Sequence, residues 1–166
     1  MIELRPIRTD DIAEIKKWPP YSGGFEQMDY ALRENGWLDE FQNRPGTWLY
    51  LAELNEQVIG FSLLSATSEE EAEFRIAIHP DWTGRGAGRD VTLATLNMGF
   101  RKLGLSKIHL IVRENNPRAA RLYESIGFAT TGGSVHSIQG KDIAFIDMDM
   151  TKEQFNNLKA ALERPS

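Results

Sequence analysis

A glycine-rich segment in the middle of the chain constrains the fold more than any other feature. Gly84, Gly86 and Gly88 alternate directly after a Pro-Asp-Trp-Thr turn. Residues 72–79, before the turn, alternate between polar and apolar residues as a strand does, whereas apolar residues recur at helical spacing from 87 to 103. The segment therefore predicts a strand-to-helix turn. Its backbone N–H groups and the helix N-terminus could cradle a diphosphate.

Taken alone, this turn leaves alternatives open. It could be a tight turn that binds nothing. A dinucleotide-binding fingerprint that starts at Gly84 requires glycine at position 89, where the chain has Arg89, and an acidic residue after the next strand, which ends in Val112 and Arg113. A Walker A phosphate loop is excluded because no G-x-x-x-x-G-K-[ST] run is present.

The remaining patterns predict an α/β fold with a mixed, mainly antiparallel sheet of about seven strands and helices on both faces. A right-handed βαβ crossover lies at its centre. Asn55 and Glu56 join two apolar strands as a hairpin, and a helix is predicted over 26–43. The predicted strands are residues 2–7, 47–54, 57–65, 72–79, 107–113, 128–135 and 142–150, and the later helices are 87–103, 117–126 and 151–163.

Composition excludes several classes of function. The 166 residues suit one domain over 1–166, with the last helix, about 151–163, as an appendage. The net charge of −5 argues against a nucleic-acid partner. No cysteine is present, and the three histidines lack metal-site spacing, so no metal is expected. Without a long apolar stretch or a signal peptide, we expect a cytoplasmic protein with no membrane partner, either monomer or homodimer.

A second motif, Asn116 to Phe128, follows one strand after the glycine turn and reads N-P-R-A-A-R-L-Y-E-S-I-G-F. Together with T-G-R-G-A-G at 83–88, it closely resembles the two acetyl-CoA motifs of the GCN5-related N-acetyltransferases (GNAT). The resemblance covers about residues 2–150, including the element order. Thr83 departs from the Gln or Arg that is usual in the family, a small change for a cradle made of backbone groups.

The resemblance implies an enzyme that uses acetyl-CoA as co-substrate. The pantetheine arm would pair with a splayed strand, the diphosphate would lie on the glycine turn, and Asn116 would contact the arm near the acetyl group. The implied cofactor-binding residues are Ile76, Ala77, Ile78, Thr83, Gly84, Arg85, Gly86, Ala87, Gly88, Arg89, Asn116, Arg118, Ala119 and Tyr123.

Tyr123 matches the family's usual general acid, since a phenol can share a proton with a departing thiolate. It could instead be an ordinary core tyrosine, and Asn116 could be a plain helix cap. Glu73 is the candidate general base, with a solvated acidic surface residue as its alternative. The base that some relatives carry on the next strand is missing, because the matching position is Ile111. His79 and His136 are weaker candidates, and the lack of cysteine supports direct transfer.

The predicted function is acetyl transfer to a primary amine of a small cationic molecule or of a peptide or protein N-terminus. The acidic excess suits a cationic acceptor, and the end of the chain also looks like the spermidine and ribosomal-protein branches of the family. Residues 19–37 and 134–141 would form the acceptor side, where Tyr21, Phe25 and Tyr30 line a pocket or simply pack, and Trp37 packs. The alternatives are a non-catalytic CoA-binding or regulatory module and an interaction domain with an empty turn.

Overall fold

Seven strands and five α-helices follow one another in the computed structural model, which describes residues 2–163. Short 3₁₀ segments at Glu26–Leu32 and Pro80–Trp82 and a π-helical turn at Met98–Lys102 complete these elements. The strands are β1 Ile2–Pro6, β2 Thr47–Leu54, β3 Gln57–Ala66, β4 Glu71–Ile78, β5 Lys107–Arg113, β6 Ala129–Ile138 and β7 Lys141–Thr151. The helices are α1 Thr9–Ile15, α2 Trp37–Phe41, α3 Ala87–Asn97, α4 Pro117–Ile126 and α5 Lys152–Glu163.

The strands form one mixed sheet in the order β1-β2-β3-β4-β5-β7-β6. β4 and β5 run parallel, whereas the pairs β1–β2, β2–β3, β5–β7 and β6–β7 are antiparallel. The parallel ladder covers only three pairs, from Glu71–Lys107 to Glu73–His109. The predicted α/β fold with a mostly antiparallel sheet and a central βαβ unit is confirmed.

The chain divides into two compact units, and β4 contributes to both. The first contains residues up to Ala66 and Phe74–Thr95, and the second contains Thr67–Glu73 and the residues from Leu96 onward. The expectation of a single acetyltransferase domain over the whole chain stays a prediction.

In the first unit, β2 and β3 form the predicted hairpin. Leu54 pairs with Gln57, so Asn55 and Glu56 are the only loop residues. Both have positive φ, 51° and 68°, which is the backbone of a two-residue turn that matches the twist of the strands.

Helices cover both faces of the sheet in the first unit. Leu51 and Ala52 are successive residues of β2, so they face opposite sides. Leu51 belongs to a cluster of buried residues built on α1 and α2, which we call the α1 core. Ala52 belongs to a second cluster that includes Ala87 and Val91 of α3, which we call the α3 core.

The single helix predicted over 26–43 is wrong. The chain instead forms the 3₁₀ segment Glu26–Leu32 and the short helix α2, which begins after Gly36. A Cβ atom on Gly36 would lie 2.0 Å from the carbonyl oxygen of Tyr30, so the backbones approach too closely for any other residue. Asn35, with φ 62°, breaks the helical path just before this contact.

The second unit is built on β5, β6 and β7. Ile108, Leu110 and Val112 of β5 are buried on one face, and the intervening residues are half-buried. The π-helical turn ends the predicted 87–103 helix one residue early, and Gly104 follows with φ 71°. Phe155 of α5 is fully buried and stacks on Phe100, with ring centroids 5.1 Å apart.

Candidate active site

The C-terminal end of β4 is buried on both faces. Ile76 and Ile78 contact the α3 core, while Ala77 belongs to the α1 core. The strand ends at Ile78, and the backbone N–H of the next residue, His79, donates to the carbonyl of Ile59 on β3 at 2.8 Å. These are the residues for which the sequence predicts contact with the cofactor arm, and the core holds them from both sides.

The glycine turn that follows β4 has the backbone that its sequence requires. Gly84 and Gly86 have φ values of 72° and 84°, in the left-handed region that side chains disfavour. Ala87 begins α3, as predicted, and Gly88 lies in its first turn. Two of the three glycines are therefore needed for the turn itself, and the third lies within the helix N-terminus.

Backbone donors of this turn are exposed and have room in front of them. Gly84, Arg85 and Gly86 are exposed. Among residues 2–163, none of the turn, loop and cap hydrogen bonds between backbone groups has the N–H of these three residues as its donor. A Cβ atom on Gly86 would meet nothing within 4 Å, and one on Gly84 would reach only the ring of Phe25, at 3.9 Å. Free donors beside a helix N-terminus fit a diphosphate such as that of acetyl-CoA.

The side chains of the turn bring positive charge to its rim. The Arg85 guanidinium lies over the Trp82 ring at 4.4 Å and donates to the carbonyl of Asp81 at 3.2 Å. The hydroxyl of Thr83 donates to the carbonyl of Pro80 at 3.0 Å, so its position is set by the turn itself. Arg89 is half-buried in the first turn of α3.

In the second unit, Asn116 caps α4. Its side-chain oxygen accepts a hydrogen bond from the backbone N–H of Ala119 at 3.3 Å, and Pro117 occupies the first helical position. The predicted capping role is confirmed; its contact with the cofactor arm stays a prediction. Arg118 is exposed, and Ala119 is half-buried.

Tyr123 lies on the inward face of α4, together with Ala120 and Ile126. Its ring packs edge-on against Phe128, with centroids 5.8 Å apart. Burial raises the pKa of Tyr123 to about 12, so the phenol stays protonated at neutral pH. Such a group can donate a hydrogen bond or a proton, and it cannot serve as a base.

Glu73 is half-buried at the end of the parallel ladder, where it lies opposite His109 of β5. Residues opposite each other in neighbouring strands share a face of the sheet. The Nε2 atom of His109 lies 3.0 Å from the hydroxyl of Thr67. Glu73 is therefore part of a structured polar face, and Glu69 and Glu70 of the same acidic run are exposed.

A hydrogen-bonded chain on β6 and β7 was not anticipated from the sequence. The hydroxyl of Ser134 donates to the Asp147 carboxylate at 2.6 Å and lies 3.0 Å from Nε2 of His136. Asp147 pairs in register with Ile111, the position where the family resemblance would place a glutamate. Ser134 and His136 are two positions apart in β6, so the strand spacing predicts that they share a face. That Asp147 lies beside them follows only from the pairing of β6 with β7.

The predicted acceptor residues in the first unit pack mainly into the α1 core. Trp37 and Tyr21 are buried, with the Trp37 ring 5.2 Å from that of Phe61, and Phe25 and Tyr30 are half-buried against the same cluster. The prediction that Trp37 packs is confirmed. The Tyr21 hydroxyl donates to the carbonyl of Ile78 at 2.7 Å, a contact that no sequence pattern indicates.

The first unit thus brings together β4 residues 76–78, the turn at 83–89 and the Tyr21 to Phe25 segment. Glu73, Asn116 and Tyr123 belong to the second unit.

Within residues 2–163, no three histidine or acidic side chains converge as metal ligands, and the expectation that no metal is bound stays a prediction. Over the same residues, no helix combines the length and apolar character needed to cross a bilayer.

Comparison with known proteins agrees with this arrangement. A family profile described as "Acetyltransferase (GNAT) domain" matches residues 2–129. The spermidine N(1)-acetyltransferase of Escherichia coli (strain K12) is 35% identical over 149 residues, which cover 81% of this chain and 76% of that protein. The mycothiol acetyltransferase of Saccharopolyspora erythraea is 27% identical over 138 residues, covering 77% and 44% of the two chains.

Among solved structures, the spermidine/spermine N-acetyltransferase SpeG from Vibrio cholerae superposes with a TM-score of 0.74 at 26% identity, over 94% of this chain and 95% of that one. The fold, the two motifs and these matches place the chain in the GNAT acetyltransferase family. It is an acetyl-CoA-dependent N-acetyltransferase that acts on an amine. The comparisons do not support the non-catalytic alternative.

Proposed function

We propose that this enzyme acetylates a primary amine of a small polycationic acceptor of the polyamine class. The observation that carries this proposal is the similarity to the spermidine N(1)-acetyltransferase, which extends over most of both chains. The net charge of −5 supports it, because an acidic protein attracts a cation that carries several charges. We also propose that residues 1–166 act as one acetyltransferase domain.

In this proposal, the glycine turn holds the diphosphate of acetyl-CoA. The exposed N–H groups of residues 84–86 and the first turn of α3 donate to the phosphate oxygens, and Arg85 and Arg89 add positive charge. Ile76, Ala77 and Ile78 offer strand backbone to the pantetheine arm. Asn116, Arg118 and Ala119 contact the arm from the start of α4.

Tyr123 acts on the leaving group. As the amine nitrogen bonds to the thioester carbon, the carbon–sulfur bond breaks and negative charge develops on sulfur. A thiol has a pKa of about 8.5, well below that of the buried phenol, so complete proton transfer from Tyr123 to the thiolate is uphill. Tyr123 therefore contributes a strong hydrogen bond to the sulfur as the bond breaks.

Glu73 removes the first of the two protons that the ammonium loses on becoming an amide, and the second passes to the departing thiolate. An alkylammonium has a pKa of about 10.4, so the acceptor arrives protonated and attack requires a base. Glu73 accepts this proton directly or through a water molecule. The neighbouring His109, on the same face of the sheet, gives the proton a path toward solvent.

A thiol-release assay with mass spectrometry tests the proposal over a panel of amines. We expect acetyl-CoA-dependent acetylation of spermidine or spermine in preference to an aminoglycoside or a peptide with a free N-terminus. Tyr123→Phe should lower kcat by about 10²-fold or more and leave the KM for acetyl-CoA nearly unchanged. Tyr50→Phe, at a buried tyrosine of β2, is the matched control.

Three outcomes would each contradict one part of the proposal. Transfer to no amine on the panel would remove the catalytic assignment, and a preference for peptide N-termini would remove the polyamine assignment. Equal kcat values for the wild type and Tyr123→Phe would exclude Tyr123 from the reaction.

A further inference from the structure

The hydroxyl group of Tyr21 joins two segments that are 57 positions apart in the sequence. Tyr21 is only 6% exposed, and its hydroxyl donates to the backbone carbonyl of Ile78 at 2.7 Å. Burial raises the pKa of this phenol well above its ordinary value. The side chain is therefore a neutral, permanent donor to the last residue of β4.

This bond fixes one end of the peptide group between Ile78 and His79, and β3 fixes the other end. The carbonyl of the peptide group accepts from Tyr21, and its N–H donates to the carbonyl of Ile59 at 2.8 Å. The C=O and N–H of a trans peptide point in opposite directions. The plane of this peptide group is therefore held from both sides.

The bond also decides which backbone groups β4 offers to a ligand. The backbone N–H and C=O of one strand residue point to one edge, and those of its neighbour point to the other. Since the backbone N–H of His79 points toward β3, the backbone N–H and C=O groups of Ile78 and Ile76 point away from β3. Tyr21 occupies the carbonyl of Ile78, so the groups of β4 available on this edge are those of Ile76 and the N–H of Ile78. Ile76 lies beyond the last pair of the parallel ladder.

The segment around Tyr21 contacts the same region at two more points. The Trp18 ring lies 4.9 Å from the His79 ring, and the ring of Phe25 stands 3.9 Å from where a Cβ of Gly84 would be. The segment 18–25 therefore holds the strand end, the start of the turn and its first glycine together.

We propose that Tyr21 is a positioning residue for acetyl-CoA, whose hydrogen bond to Ile78 sets the backbone groups that β4 presents to the pantetheine arm. The inference rests on the proposed function, because it requires this edge of β4 to bind the arm. Tyr21 acts through the backbone and takes no part in the chemistry of transfer.

The test compares two ligands by calorimetry. CoA carries the pantetheine arm, whereas 3′-phosphoadenosine 5′-diphosphate is the nucleotide half alone and reaches only the glycine turn. Tyr21→Phe should weaken CoA binding by about 2- to 10-fold, as expected for one hydrogen bond, and leave the nucleotide unchanged. Tyr50→Phe, which is equally buried at 6% exposure, should change neither affinity.

The outcomes separate this inference from the proposed function. If the wild type does not bind CoA, both fall. If the wild type binds both ligands and the Tyr21→Phe variant binds them with the same affinities, only the role of Tyr21 falls. The same holds if the substitution weakens the binding of both ligands equally.

Amide hydrogen exchange on the wild type provides a second test that needs no variant. CoA should slow exchange at Ile76 and Ile78, and the nucleotide half should not. Unchanged exchange at both amides with CoA bound would overturn the assignment of this edge.

Discussion

At the scale of single residues, burial determines what the candidate catalytic groups can do. Tyr123 is buried and packs against Phe128, so its phenol is neutral and can donate a hydrogen bond to the reacting group. The same location fits both roles that the sequence allowed, a core tyrosine and a general acid. The spacing of α4 predicts that Tyr123 points inward, and only the chemistry of the reaction separates the two roles.

The raised pKa of Tyr123 predicts how stability responds to alkali. The unfolded phenol ionises near its ordinary pKa of about 10 and the folded one only near 12. The contribution of this phenol to the free energy of unfolding is therefore fully present below pH 10. It is lost as the pH rises toward 12, by on the order of 3 kcal/mol. Denaturation of both proteins across this range measures the free energy of unfolding of the wild type minus that of Tyr123→Phe. This difference should fall above pH 10. A constant difference would refute the assignment.

At the scale of elements, short sequence patterns correctly predict the turns and helix ends that are stabilised by contacts between residues close together in the chain. The hairpin at Asn55–Glu56, the start of α3 at Ala87 and the cap of α4 at Asn116 all depend on residues within a few positions of one another. The helix over 26–43 failed because Gly36 packs against the Tyr30 carbonyl, a steric contact that helical periodicity does not encode. The Tyr21 bond to Ile78 could not be predicted for a related reason, since it depends on how distant segments fold together.

The cap of α4 separates the structural role of Asn116 from its role in binding. Asn116→Ala should lower the free energy of unfolding by about 1 kcal/mol, because the N–H of Ala119 loses its acceptor. Asn116→Asp keeps the cap and should retain most of the stability. If Asn116 also contacts the cofactor arm, both variants weaken CoA binding. Full CoA affinity in Asn116→Asp would leave the residue as a cap alone.

At the scale of the whole molecule, the sheet order agrees with the family assignment. In the described residues, the parallel pair β4–β5 lies at the centre of the sheet and the glycine turn follows β4, as the order of patterns in the sequence predicted. The identity of the acceptor does not follow from this architecture, because it depends on side chains in loops and on long-range electrostatics.

Charge predicts a salt dependence for the acceptor. If the negative potential of the protein draws in a polyamine, its KM should rise several-fold as salt increases from about 0.05 to 0.5 M, because screening shortens the reach of the field. A monoamine carries a single charge and should show a smaller rise, so it serves as the control. A polyamine KM that does not change with salt would contradict electrostatic recognition.

The central claim is that the backbone of the glycine turn holds acetyl-CoA, and a matched pair of glycine variants tests it most directly. Gly86 and Gly104 have similar positive φ values, 84° and 71°, and a Cβ on either would meet nothing within 4 Å. Each change to alanine should therefore cost a similar amount of stability, on the order of 1 kcal/mol. Calorimetry with CoA should show that Gly86→Ala loses at least about tenfold in affinity, one factor of ten for each 1.4 kcal/mol, while Gly104→Ala binds like the wild type. Equal CoA affinity in the two variants would contradict the claim.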